Sequence, residues 1–551
     1  MNDVDVNLKR FPYTDKIPSF RFRAHHGESL CAWVCATGQM LEPLNDEHKA
    51  RTREASYHWR YELWYFFRHG LPLGFAAVLE WGVPPMFSIV MAGHVPQSAD
   101  LQASLGFARV FWSCSCNMVI WGLNAYILSV IPGCIGAGRM DRIPAYFWRS
   151  VLFSTFALIP SLICCWFAGE IMGSVGVEDR LLPGISTYCR LMSVTAVMLL
   201  MECQVEQLFM NLGYSRAAAF NSLVTGMGVD VVVTYLFIYR WELGMRGAAL
   251  VQICIKASRL VVWALLACWF QLGRVMFVFP RNRERLFTLT EARIFVNLSV
   301  PAVLSTLSSE FVFELQILAL AHIAGLPSKA IAAGAVWVQF AQLCSACQMG
   351  WAQATSMRAL KLLGAQDRGA PWAYAFMCTL SALLVGVSNL PLLVCTESIS
   401  AVISNDPEVQ RWFGKLLWVL TLHQQTRMSY NNAFSLFNPI GLGYVRLGAN
   451  LVAFYLLAVP FAFVMAFTDL ATHSLLAKMC AVMGATALAQ TVLVLFGFGV
   501  LACSDWSKLS LIIERRAQSD SQPGAASAQE TLPVRLPLRS PDELSPPLIV
   551  N

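Results

Sequence analysis

Apolar residues recur along this chain in runs of about twenty or more, separated by short polar connections. That is the length an α-helix needs to cross the hydrocarbon core of a bilayer. Twelve such runs stand out: 70–93, 106–131, 148–170, 186–209, 217–239, 247–271, 294–324, 330–353, 372–395, 412–437, 447–468 and 477–502. The pattern predicts an all-α membrane protein of twelve transmembrane helices. A polar N-terminal segment, 1–69, precedes the first run and starts with no signal-type apolar stretch after a basic start. From about 504 the chain turns polar and rich in Ser, Pro, Ala and Gln, a composition that cannot bury a core. The expected organisation is an N-terminal segment (1–69), a first lobe of six spans (70–273), a linker (274–293), a second lobe of six spans (294–503) and a disordered tail (504–551).

Composition narrows the class further. Of 551 residues, 56% are hydrophobic and 13% charged, where soluble chains run nearer a quarter charged. This leaves too little charge to coat a water-facing surface, and it excludes an ordinary soluble enzyme, a nucleic-acid-binding domain and a disordered scaffold. Many of the 17 cysteines, such as Cys164, Cys165, Cys254 and Cys268, lie inside apolar runs and behave as small hydrophobes. Cys31 and Cys35, near His25 and His26, match no standard zinc spacing. There is no nucleophile–base constellation and no phosphate-binding loop, so neither enzymatic activity nor a cofactor or metal is expected, and any pumping must be driven by ions.

Loop charges set the orientation. The connections after spans 2, 6 and 8 carry Arg139 and Arg142; Arg274, Arg281, Arg283, Arg285 and Arg293; Arg358, Lys361 and Arg368. Those after spans 1, 3 and 9 are mainly acidic: Asp100; Glu170, Glu178, Asp179 and Arg180; Glu397, Asp406 and Glu408. The excess of Lys and Arg places both termini in the cytoplasm; Arg240 and Arg246, after span 5, dissent.

The two halves read as a repeat. Ile135-Gly136-Ala137 is followed by Ala145-Tyr146, and Leu363-Gly364-Ala365 is followed at the same distances by Ala373-Tyr374, an offset of 228. Pro72 and Glu80 of span 1 correspond to Pro301 and Glu310 of span 7 at offsets of 229 and 230. Duplication of a six-helix unit gives two lobes of equal orientation, with the ligand path between them. The prolines are candidate hinges, because each removes a helical hydrogen bond.

Ionisable groups inside the membrane cost several kcal/mol, of order 3 or more, and each needs a partner, water or a function. Glu310 and Glu314 lie one turn apart on one face of span 7. Two carboxylates so placed cannot both stay ionised cheaply, which suits proton uptake or cation binding. Asp230, in span 5, has no neutralising group within a turn, and Glu80 follows Pro72. Glu202 and Glu206 of span 4 face Lys256 and Arg259 of span 6 at similar depth, the pattern of a structural ion pair. In span 10, His423, Gln424, Gln425 and Arg427 form a polar patch with Tyr430, Asn431 and Asn432, and Arg427 could neutralise Glu310 or Glu314. Trp81 and Trp337 lie within spans of the two halves, among aromatics that serve as lipid contacts, interfacial anchors or cavity walls.

Four segments resemble the multidrug and toxic compound extrusion (MATE) family, especially its eukaryotic members. They are Gly122-Leu-Asn-Ala-Tyr-Ile-Leu-Ser-Val-Ile-Pro-Gly-Cys-Ile-Gly-Ala137; Thr234-Tyr-Leu-Phe-Ile-Tyr-Arg-Trp-Glu-Leu-Gly244-Met-Arg-Gly247-Ala248-Ala249; Pro301 with Glu310-Phe-Val-Phe-Glu314; and Ala354-Thr-Ser356-Met-Arg358-Ala-Leu-Lys-Leu-Leu363-Gly364-Ala365. The last is the most specific, because hydrophobicity does not force a polar, basic, Gly-Ala string at fixed spacing. The resemblance covers about 62–503. It implies the MATE/MOP-type fold of two pseudo-symmetric six-helix lobes. It also implies a monomeric antiporter that exports organic cations or other small xenobiotics in exchange for H+ or Na+, from the plasma membrane or an endomembrane such as a vacuole or vesicle. By the same match Glu310 and Glu314 belong to the coupling or substrate site. Asp230 falls one turn before the usual polar position of span 5, which is Thr234 here. Arg427 stands where the family often carries an acid in span 10, and Val312 stands where span 7 carries an aromatic. An arginine there leaves open an organic-anion exporter of citrate-like substrates, and Arg427, Lys256 and Arg259 keep open a lipid-linked oligosaccharide flippase of the same superfamily.

Overall fold

The computed structural model describes residues 58–83, 98–174, 179–270, 288–403, 406–468 and 474–518, with the single positions 177 and 272. All of them fall in one compact unit, His48–Asn551. Cys31, Cys35, His25 and His26 lie outside the described residues, as does most of the expected linker 274–293.

The described residues contain no β-strand, and their long helices follow the apolar runs. The first is α1 (59–82), whose path includes π-helical turns at Phe66–Gly70 and Val78–Gly82. It is followed by α2 (Ser104–Gly136), α3 (Ile143–Trp166), α4 (Leu182–Asn211), α5 (Ser215–Arg240) and α6 (Gly244–Trp269). The second half holds α7 (Leu289–Ala321), α8 (Ser328–Gly364), α9 (Ala370–Val394), α10 (Pro407–Phe434), α11 (Gly443–Phe467) and α12 (Leu475–Cys503). Ten of these twelve are long and apolar enough to cross a bilayer. The other two, α1 and α10, carry more polar residues over their described lengths; α1 packs against the second half, and α10 lines the cavity between the halves.

Two boundaries differ from the sequence reading. Helix α1 begins at Trp59, inside the stretch 1–69 assigned to a non-membrane segment. Its start is amphipathic: Trp59, Trp64 and Phe67 are exposed, while Glu62, Tyr65 and Phe66 are buried. Single-window apolarity misses a first turn of this kind. The sequence reading also places 504–551 in a disordered tail, yet residues Trp506–Gln518 form a further helix, α13. Asp505 caps it by accepting from the Ser507 backbone N–H at 3.0 Å. Leu509 and Ile513, one turn apart, are buried on its inner face.

Each lobe has its own core, one running from Leu105 to Ile255 and the other from Val312 to Ile513. Where the lobes meet, α8 packs on α1 and α2, and α7 packs on α2. The two repeated glycines lie at this seam. A Cβ on Gly136 would run into the carbonyl oxygen of Lys361, and one on Gly364 into the carbonyl of Gly133. The residues that mark the duplication thus touch each other across the lobe boundary. Small residues at such a contact let backbones approach closely, which is how helices associate where no hydrophobic drive separates them from lipid.

The same end of the bundle is tied by charge. Arg358 of α8 donates from Nε to both carboxylate oxygens of Glu62 on α1, at 3.1 and 2.9 Å, and from Nη2 at 2.6 Å. The rings of Tyr61 and Tyr65 lie 4.9 and 5.3 Å from its guanidinium carbon. The sequence reading counts Arg358 as a loop charge; it is a helical residue committed to this clamp. Helix α13 spans the seam as well. Ser510 Oγ donates to the Leu363 carbonyl at 2.6 Å, Tyr146 OH of α3 donates to the Arg516 carbonyl at 3.1 Å, and Arg516 Nη1 donates to the Pro439 carbonyl.

Gly136→Leu is expected to destabilise the protein by about 1–3 kcal/mol through overpacking at this seam. Gly448, which has nothing near its would-be Cβ, is expected to accept the same substitution with an unchanged melting temperature. Fluorescence-detected thermal melting of the solubilised protein compares the two.

Candidate functional site

A cavity of about 190 Å³ lies between the lobes. Its walls come from α2 (Trp121, Ser129), α7 (Thr306, Glu310, Phe313), α8 (Gln353, Ser356), α10 (Arg427, Tyr430, Asn431), α11 (Arg446) and α12 (Gln490). Helix α10 delivers Arg427, Tyr430 and Asn431 together because they fall within one turn of each other. The rest of its polar patch is spent on holding helices. Gln424 Nε2 donates to the Ala341 carbonyl at 2.9 Å and Gln424 Oε1 accepts from Gln348 Nε2 at 2.6 Å. Gln425 Nε2 donates to the Ala382 carbonyl at 3.1 Å, and Asn432 Nδ2 to Ser381 Oγ at 2.8 Å.

Glu310 and Arg427 form an ion pair in the cavity wall, Nη2 to Oε1 at 3.0 Å. The carboxylate side chain is 22% exposed and that of the arginine 9%. Arg427 also sits over the Phe313 ring, 5.3 Å from its centroid. Its Nη1 is buried and has no hydrogen-bond partner. The side chain of Glu314 lies outside the described residues. Tyr430 OH donates to Asn450 Oδ1 at 3.2 Å, and Asn450 Nδ2 donates to Ser305 Oγ at 2.9 Å, which ties α10, α11 and α7 behind the cavity.

Glu80 does not join this group. It lies in the first lobe in a buried cluster with Glu202, Lys256 and Arg259. Arg259 Nη1 is 2.7 Å from Glu80 and 2.8 Å from Glu202; Lys256 Nζ is 3.3 Å from Glu80 and 2.8 Å from Glu202. Arg259 Nε donates to Thr225 Oγ1 at 3.1 Å. The expected pairing of Glu202 with Arg259 is present, and Glu80 completes a crossed network joining α1, α4 and α6. A smaller cavity of about 40 Å³ touches Glu80, Glu206, Asn124 and Gln353.

Asp230 and Thr234 form a third location. Thr234 Oγ1 donates to Asp230 Oδ1 at 2.9 Å, one turn along α5, while Asp230 Oδ2 is buried with no hydrogen-bond partner. Neither residue lines either cavity. The prolines interrupt nothing: α7 runs unbroken through Pro301, and Pro72 follows the wide turn Phe66–Gly70, where a missing N–H is accommodated. Trp337 is fully buried and donates to the Leu416 carbonyl at 3.2 Å, so it is a core residue rather than a cavity wall. The side chain of Trp81 lies outside the described residues.

The sequence reading misses Gln353, Arg446, Gln490 and Trp121. Gln353 and Gln490 are isolated polar residues inside apolar spans, a signal that was available. Arg446 starts a helix and resembles a loop charge; only the fold shows it over the Tyr430 ring, 5.9 Å from the centroid.

Comparison with known proteins follows this architecture. The MatE family model matches residues 72–236, most of the first lobe. The chain is 24% identical over 413 residues to multidrug resistance protein NorM of Aliivibrio fischeri, covering 72% of this chain and 85% of that protein. It is 22% identical over 388 residues to multidrug and toxin extrusion protein 1 of Danio rerio, covering 68% of this chain and 62% of that one. Its fold is similar to the crystal structure of the eukaryotic MATE transporter AtDTX14, with a TM-score of 0.74 at 15% identity over 83% of this chain and 99% of that one. In sequence and in fold the chain is similar to the MATE family. Its helices are those of a multi-pass membrane protein, with the all-helical MATE fold expected from the sequence.

The charge network of the first lobe makes a stability prediction. Lys256→Met leaves Glu80 and Glu202 sharing one arginine in a buried site, a loss of about 3–5 kcal/mol. Adding Glu80→Gln removes the surplus carboxylate and is expected to recover most of the loss. Thermal melting of the single and double variants tests the coupling.

Proposed function

We propose that this protein exports small organic compounds by alternating access, with H+ as the coupling ion and Glu310 as the coupling carboxylate. The observation that carries the reading is the Glu310–Arg427 pair in the wall of the interlobe cavity. A carboxylate that is half of an ion pair and still meets the cavity can exchange a proton with water, and that exchange changes the charge of the site by one. Arg427 occupies the place a sodium ion would take against Glu310, which favours H+ over Na+.

In this reading the two six-helix lobes, within 70–273 and 294–503, rock as bodies about the seam at Gly136 and Gly364. The basic connections lie on the cytoplasmic side and both termini with them, in the plasma membrane or an endomembrane. Arg427, Tyr430 and Asn431 form the substrate wall. Asp230, answered on one oxygen by Thr234 and on the other by nothing, is the second candidate for proton uptake. Glu80 is a strut of the first lobe. The relatives' names, a multidrug resistance protein and a multidrug and toxin extrusion protein, support xenobiotic substrates.

One elementary charge crossing a potential of 100 mV is worth about 2.3 kcal/mol, enough to reset such a site. Glu310→Gln is expected to abolish pH-gradient-driven substrate flux in proteoliposomes while the protein stays folded. Coupled flux that survives the substitution would remove Glu310 from the role, and flux that follows an imposed Na+ gradient instead would reassign the ion.

A further inference from the structure

Beside the Glu62–Arg358 clamp lies a group of charges with no counter-charge. Arg358 is spent on Glu62, but Lys361, one turn further along α8, has no ion pair among the described residues. Nor do Arg68 of α1 and Arg216 of α5. The fold brings these three around His69. The Nδ1 of that ring is 2.8 Å from Ser215 Oγ, and the same hydroxyl is 3.5 Å from the Arg68 carbonyl oxygen, which ties α1 to the start of α5. The Tyr65 ring bridges to α8, with its centroid 4.6 Å from that of His69 and 5.3 Å from the Arg358 guanidinium carbon. The largest charges acting on His69 are those of Lys361, Arg68, Arg216 and Arg358, all positive. Its Nε2 has no hydrogen-bond partner among the described residues. Like charges gathered in this way repel one another unless an anion sits among them. From the cluster, α1 continues as an exposed apolar stripe of Trp64, Phe67, Leu71 and Phe75, each three or four residues from the last. The Arg68 guanidinium carbon lies 4.7 Å from the centroid of the Trp64 ring, the pairing of base and aromatic found where a span meets the membrane surface.

We propose that Arg68, His69, Arg216 and Lys361 form a headgroup site for an anionic phospholipid whose acyl chains lie along the apolar stripe of α1. The phosphate oxygens accept from the two arginines, the lysine and the histidine, and the chains cover Trp64, Phe67, Leu71 and Phe75. A free phosphate ion would answer the charges and leave that stripe bare. Arg68, His69 and Arg216 belong to the first lobe and Lys361 to the second, so one headgroup removes a repulsion across the seam and holds its two sides together. None of the four residues lines the interlobe cavity, so this lipid is a fixed partner of the fold rather than cargo. A diffuse attraction between basic loops and an anionic leaflet would count every exposed base alike. A built site counts these residues and not others.

The test is native mass spectrometry of the full-length protein in detergent micelles, titrated with phosphatidylserine or phosphatidylcholine. One phosphatidylserine is expected to bind about tenfold or more tightly than phosphatidylcholine. Arg216→Gln and Lys361→Gln are each expected to weaken phosphatidylserine about fivefold and to leave phosphatidylcholine unchanged. Arg293→Gln, which removes an exposed base near the start of α7, is expected to change neither. Equal affinity for the two lipids, or a loss in Arg293→Gln as large as that in Lys361→Gln, would overturn the site. Competition by inorganic phosphate at millimolar concentration would overturn the lipid as its ligand. Thermal melting in nanodiscs separates the site from misfolding. In phosphatidylcholine alone Lys361→Gln is expected to melt no lower than the unmodified protein, because the substitution removes a repulsion. Added phosphatidylserine is expected to raise the melting temperature of the unmodified protein and not that of the variant. A variant that melts lower in phosphatidylcholine would show that Lys361 is already answered within the protein, and the proposal would fall.

Discussion

Charge in a low-dielectric interior must be answered, and the arrangement of this protein follows from how each buried charge is answered. In the cluster that joins α1, α4 and α6 each charge has a partner: Glu80 and Glu202 share Lys256 and Arg259 with every side chain almost fully buried. At the seam the same is true of one pair, with Glu62 holding the fork of Arg358 between two tyrosine rings. Pairs like these add little net stability relative to apolar packing, but breaking one leaves an uncompensated charge. They therefore act as constraints on which helices can part. In the cavity the answer is incomplete. Glu310 and Arg427 meet through one hydrogen bond, and an arginine nitrogen is left over. The same physics that makes the first two struts makes the third a site, because its partners can be changed by a proton or a ligand.

The seam itself depends on small residues. With glycine at 136 and 364, the ends of α2 and α8 touch backbone to backbone, and α13 then lies across both. The cavity lies between the same helices, so any movement that opens the seam also moves Trp121 and Ser129 relative to Gln353 and Arg427. Position of substrate and state of the seam are linked by shared helices rather than by a relay of side chains.

Much of this was legible in the sequence. The apolar runs mark twelve helices because helical length against bilayer thickness is a strong signal, and the matched spacing around Gly136 and Gly364 singles out two positions that the fold brings together. The approach of Arg427 to Glu310 was legible as an imbalance: an acid in span 7 and a base in span 10 with no partners on their own helices. What was not legible had a physical cause in each case. Helix α13 was hidden because its 13 residues were averaged with a Ser- and Pro-rich stretch, although Asp505, Leu509 and Ile513 spell a cap and a buried stripe. Arg358 passed for a loop charge because its partner, Glu62, lay in a segment assigned to no helix. Asp230 was grouped with the glutamates on polarity alone; which side of α5 faces which neighbour depends on packing that one helix does not encode.

The position of α13 bears on how the cycle is limited. A ligand can shift a two-state equilibrium only by its difference in affinity between the states. To part the lobes at Gly136 and Gly364, the protein must also release the Glu62–Arg358 clamp and the contacts of α13 to one lobe: Tyr146 on the first, or Leu363 and Pro439 on the second. Of these residues only Pro439 also lines the cavity, so substrate gains little directly from their loss. The differential affinity must come from the cavity walls, which belong to both lobes and can close on a ligand in one state only. A site whose key arginine is already half-engaged by Glu310 suits that demand. The Glu310–Arg427 pair can be kept in one state and broken in the other, which makes it a place where that difference can arise.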